Sequence, residues 1–121
     1  MRSPQRTQIY ADIIVAAVEG GTGYWAAVSG YRWDCDPADT QVILHECDDD
    51  YDDGYKDDGV LVTIDTIAKG IAYFRESPPG DSYFREFLRD LRNNDWDSVD
   101  FDAGIADQIV QAGLFDEVRY G

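Results

Sequence analysis

The sequence predicts an α+β fold: a small antiparallel sheet of three or four strands packed by about four helices, in one domain spanning residues 1–121. Three observations carry this. Four segments place apolar residues at helical spacing behind capping residues. Three shorter segments are rich in β-branched and aromatic residues, and their connections allow an antiparallel meander. A 121-residue chain with 44% hydrophobic residues, eight Tyr, five Phe and three Trp can bury one real core.

The first helix is expected from Thr7, as N-cap, to about Glu19. Ile9, Ile13 and Ala16 form one stripe, with Tyr10, Ile14 and Ala17 beside it. Apolar residues cover most of its circumference, which predicts burial on more than one side. Gly20-Gly21-Thr22-Gly23 reads as a glycine cap and turn. It follows a helix and precedes a strand, the reverse of a phosphate-binding loop.

Residues 24–33 read as a strand with Trp25, Ala27, Ser29, Tyr31 and Trp33 on one face, which places both tryptophans in the core. A turn at residues 34–39 leads to a second strand, 41–47, with Val42, Leu44 and Glu46 on one face. An acidic loop, 48–59, precedes a third strand, 60–64. Asp65 is the expected cap of a helix to about Glu76, with Ile67, Ile71 and Phe74 inward. Ser77-Pro78-Pro79-Gly80 breaks it. Asp81 caps the next, with Phe84, Phe87, Leu88 and Leu91 inward, ending near Asn93-Asn94. Asp102 caps the last, with Ile105, Ala106, Ile109 and Val110 inward and Gly113 at its end. Residues 117–120 form a candidate fourth strand.

The charge is the strongest functional signal. The chain has 25 Asp and Glu against 10 Lys and Arg, a formal charge of −15. Eleven of those carboxylates fall between Asp34 and Asp58, where only Lys56 opposes them. A GC-rich genome or a salt-adapted proteome accounts for diffuse acidity, but not for this clustering. The net charge opposes direct binding to nucleic acid or to an anionic membrane. No apolar run approaches the roughly 20 residues of a membrane span. Residues 1–6 are polar and the apolar stretch after them contains Asp12, so no secretory signal is read, and a cytoplasmic location is expected. Cys35 and Cys47 are read as free thiols, because the hairpin puts them at opposite ends of its ladder.

No catalytic or cofactor constellation is legible, and the chain is read as a non-enzyme without cofactor or metal. His45 is the only histidine and lies mid-strand between Leu44 and Glu46, with no partner of recognisable spacing. The acidic loop fits no EF-hand register. With Gly54 at position 6, Tyr51 takes position 3 and Val60 takes position 12, where oxygen ligands are required. Arg85, Arg89 and Arg92 make one basic stripe, which interleaved Asp81, Glu86 and Asp90 explain as local pairing.

What remains is a surface for a basic partner. Same-face residues of a strand are about 6.6 Å apart and DNA advances about 3.4 Å per phosphate, so alternate carboxylates approach phosphate density. A groove lined with Lys and Arg accepts either, because phosphate contacts carry little sequence information. The expected partner-binding residues are Asp34, Asp36, Asp39, Glu46, Asp48, Asp49, Asp50, Tyr51, Asp52, Asp53, Tyr55, Asp57, Asp58, Asp95, Trp96 and Asp97. Tyr51, Tyr55 and Trp96 are the aromatic anchors of that set. Asp100, Asp102 and Asp107 extend the second acidic group.

Two stretches, residues 19–26 (EGGTGYWA) and 109–121 (IVQAGLFDEVRYG), resemble a group of small acidic proteins encoded by phages and mobile elements of actinobacterial hosts. The resemblance implies such an origin and carries no assigned activity. Many small acidic phage proteins disarm host defence by occupying a nucleic-acid groove. The expectation is therefore an acidic inhibitor of a basic, nucleic-acid-handling host protein, such as a CRISPR effector or another defence nuclease. A phage accessory or structural protein and a divalent-cation module are the alternatives.

Overall fold

The computed structural model describes residues 2–46 and 58–121 and has the expected α+β architecture. Its elements are α1 (Pro4–Ala16), β1 (Ala26–Arg32), β2 (Gln41–Glu46), β3 (Val60–Val62), α2 (Ile64–Glu76), α3 (Ser82–Arg92) and α4 (Ala103–Phe115). The sheet is antiparallel throughout, in the order β1-β2-β3. Residues 117–120 are not a strand; the chain there runs back over Trp25.

The helices begin where local chemistry satisfies their free N–H groups. Ser3, rather than Thr7, caps α1: its hydroxyl accepts from the Arg6 N–H at 3.2 Å, and Pro4 occupies the first position, where its missing N–H costs nothing. Thr63, rather than Asp65, sits at the N-cap of α2 and donates its N–H to the Thr66 hydroxyl at 3.1 Å. Asp65 lies in the first turn and pairs with Arg2 at 2.9 Å. Asp81 and Asp102 cap α3 and α4 as their sequence positions indicate.

α1 continues into a wide turn over Ala17–Gly21, closed by the Thr22 N–H on the Ala17 carbonyl at 2.8 Å. The glycines here do not supply a left-handed cap. A Cβ on Gly21 would lie 2.6 Å from the Ala103 carbonyl oxygen, so glycine permits the turn to touch the start of α4. Closer still is the crossing of α2 on α4. A Cβ on Gly70 would fall on the Ile109 carbonyl oxygen, and one on Gly113 on that of Thr66. Gly113 is thus a contact residue inside α4; the helix ends at Asp116, in the left-handed conformation with φ 58°.

The core lies between the sheet and the helices. Ile13 and Ile14 of α1, Val42 and Leu44 of β2, and Val62 of β3 are buried. They meet Ile67 and Ile71 of α2 and Ile105 and Ile109 of α4 in one cluster. α3 docks through aromatic rings: Phe84 lies 4.7 Å from Phe74, and Phe87 lies 5.6 Å from Phe101.

β1 does not alternate as its sequence predicts. Ser29 pairs with Ile43 but Arg32 pairs with Gln41, so one extra residue is inserted between them. Gly30, at φ 56°, makes this bulge. Beyond it the faces exchange, and Tyr31 turns towards the core while Ala27 and Ser29 stay with the outer row. Trp25 precedes the strand and is 1% exposed; Trp33 follows it and is 60% exposed. The expectation that both tryptophans are core residues therefore holds for Trp25 and fails for Trp33.

Candidate partner-binding surface

The connection from β1 to β2 is short and fixed by its own hydrogen bonds. The Asp36 carboxylate accepts from the Ala38 N–H at 3.0 Å, and Pro37 opens a single 3-10 turn ending at Asp39. The Thr40 N–H donates to the Pro37 carbonyl at 3.2 Å, and Thr40 is buried. This holds Asp34, Asp36 and Asp39 outward, all three exposed. Trp33 stands directly before them in sequence with its ring in solvent. Among the described residues, none of these carboxylates has a cation within ion-pair distance. Three uncompensated negative charges beside one large exposed aromatic form an anionic surface with an apolar anchor. The sequence pattern missed Trp33 as part of it because it carried the strand's alternation to residue 33, whereas β1 ends at Arg32.

The remaining expected residues divide. Asp58 is exposed. Asp95 and Asp97 are exposed, but Trp96 between them is half-buried and lies under the Arg6 guanidinium, 5.3 Å from ring centroid to charge. Arg6 in turn donates to the Leu91 carbonyl at 2.7 Å and to Asn94 at 2.9 Å, so Arg6, seated on Trp96, fastens the end of α3 to α1. Glu46 is also engaged: it accepts from Arg119 at 2.9 Å and from the Tyr120 hydroxyl at 2.7 Å. That bond raises the Tyr120 hydroxyl and the Arg119 guanidinium above their ordinary values. Asp48, Asp49, Asp50, Tyr51, Asp52, Asp53, Tyr55 and Asp57 lie outside the described residues, as does Cys47; Cys35 is a free thiol.

The second acidic group is not one surface. Asp102 is used as a helix cap. Asp107 is 5% exposed and accepts from the Tyr24 hydroxyl at 2.6 Å, the Trp25 indole N–H at 2.8 Å and the Gln111 amide at 3.1 Å. Burial, followed by the bond to Asp107, pushes the Tyr24 hydroxyl up to about 12. Gln111, fully buried, also receives the Tyr120 N–H at 2.7 Å, and the Tyr120 ring stacks on Trp25 at 5.0 Å. The segments 19–26 and 109–121, distinctive in the sequence, are therefore one structural unit: a buried carboxylate and amide that tie the chain's end to the start of β1.

His45 is buried, with its Nε2 2.8 Å from the Ser29 hydroxyl on the paired strand. Among the described residues no group of three His, Cys, Asp or Glu side chains is placed to hold a metal ion. No helix among them is long and apolar enough to cross a membrane. Comparison with family models, curated proteins and solved structures found no match for this chain.

Proposed function

We propose that the chain is a non-enzymatic acidic inhibitor of phage or mobile-element origin, a nucleic-acid mimic that occupies a basic groove of a host defence protein. The observation that carries this reading is the turn at residues 34–39: three exposed carboxylates without a cationic partner among the described residues, held in place by their own backbone bonds, beside the exposed Trp33. A protein gains nothing in stability from like charges that repel one another with no cation in ion-pair distance among the described residues. A basic groove relieves that repulsion and desolvates the indole, the kind of contact that dominates binding energy at interfaces. Asp58, Asp95 and Asp97 are exposed as well.

The test is capture from the producing host at low and high salt, followed by competition. The expected result is a basic nucleic-acid-handling protein that leaves the chain when excess duplex or single-stranded nucleic acid is added. A partner held equally well in the presence of excess nucleic acid refutes mimicry.

A further inference from the structure

Four of the ten cationic side chains of this strongly acidic protein line one groove. Arg75 comes from the last turn of α2, Arg85 from the first turn of α3, and Arg89 and Arg92 from its last. They border a cavity of about 550 Å³ that also reaches Phe74 and Leu88. Local pairing does not account for the cluster. Among the described residues the only carboxylate in ion-pair distance of any of them is Asp90, 3.2 Å from Arg89. Helix-dipole compensation accounts for Arg75, Arg89 and Arg92, which lie in last turns, but not for Arg85, which lies in the first turn of α3, where a cation is disfavoured.

The net charge narrows what such a groove can hold. A polymeric anion also meets the repulsion of the rest of the protein, whose formal charge is −15. A small anion seated between the guanidinium groups is affected mainly by them, because charges beyond about 8 Å are screened at physiological ionic strength. Guanidinium forks match phosphate oxygens in pairs, and their flat faces stack on planar rings. The volume is that of a small-molecule site. We propose that the α2–α3 groove binds a small organic phosphate of nucleotide size, its phosphates on the arginine forks and its planar body against the guanidinium faces and the Leu88 side.

Calorimetric titration of the purified chain with ADP, pyrophosphate and hexaglutamate tests this. ADP is expected to bind, pyrophosphate to bind more weakly, and hexaglutamate not to bind. The double variant R85Q/R92Q, with both side chains exposed, is expected to keep its melting temperature and to lose at least about tenfold in ADP affinity. R85K/R92K, which keeps the charge but not the fork, is expected to fall between the two. If R85Q/R92Q is destabilised, R85Q alone carries the same expectation. Absence of heat with ADP, unchanged affinity in the glutamine variants, or hexaglutamate binding as tightly as ADP overturns the proposal. Pyrophosphate binding as tightly as ADP overturns its organic half.

Discussion

Replacing Asp107 by Ala removes the one acceptor shared by Tyr24, Trp25 and Gln111. Trp25 is 1% exposed, so its indole N–H cannot turn to water, and a buried donor left unpaired costs about 1–3 kcal/mol. Gln111 keeps the Tyr120 carbonyl at 3.2 Å and Tyr24 reaches solvent, so their losses are partial, together about 1 kcal/mol. The expected destabilisation is about 2–4 kcal/mol, a large share of the roughly 5–15 kcal/mol that holds a domain together. Urea denaturation followed by far-ultraviolet circular dichroism reads it directly. Asp107→Asn is the control. Its carbonyl can still accept from Trp25, and its amide can donate to the Tyr24 oxygen, so about 1 kcal/mol is expected. An Ala variant within about 0.5 kcal/mol of the parent, the range of ordinary surface changes, refutes the assignment of Asp107 as the anchor of the chain's end. Equal losses for Ala and Asn refute the counting of acceptors on which the magnitude rests.

Gly113→Ala and Gly70→Ala should each force α2 and α4 apart, because the added methyl meets backbone; about 1–3 kcal/mol is expected in the same assay. Trp25→Ala should cost about 3–5 kcal/mol, while Trp33→Ala should leave stability within about 0.5 kcal/mol and weaken partner binding. Alkali should destabilise the fold. The folded values of Tyr24, Tyr31, Tyr83 and Tyr120 are raised by burial or by hydrogen bonds to carboxylates. Stability is intact below the ordinary tyrosine value near 10 and is lost as pH rises towards the Tyr24 value of about 12. Melting temperature against pH checks this, and Tyr24→Phe should shallow the decline.

The helices were legible because their signals are local. Every core residue expected in α3 and α4 is buried, since one stripe of large apolar side chains at helical spacing admits only one inward face. Their caps were legible for the same reason. What the sequence hid is long-range. Gly21 and Gly113 look like helix punctuation and Gly70 passes unremarked inside a helix, but their requirement comes from backbone approaching from another element. Asp107 reads as one more surface charge until Trp25 and Gln111 are brought to it from either side. Glu46 and Trp96 looked like contact residues because their neighbours are acidic; their cationic partners, Arg119 and Arg6, lie at the far ends of the chain. In β1 a single inserted residue reversed the parity after it, which sent Ala27 and Ser29 to the other face from Tyr31, and the strand ends at Arg32, which leaves Trp33 beyond the sheet and exposed.

In the proposed function, uncompensated carboxylates recruit the partner. The most direct test is the dissociation constant of the captured complex across about 50 to 500 mM salt, for the parent and for the triple variant D34N/D36N/D39N. Asparagine retains the side-chain oxygen that caps the turn at residue 36, so the exchange removes charge without removing the bond to Ala38. The parent should bind progressively more weakly as salt rises, and the variant should bind more weakly at low salt with a shallower dependence. An affinity that stays flat across that range, or a variant indistinguishable from the parent, contradicts recruitment of the partner by these carboxylates.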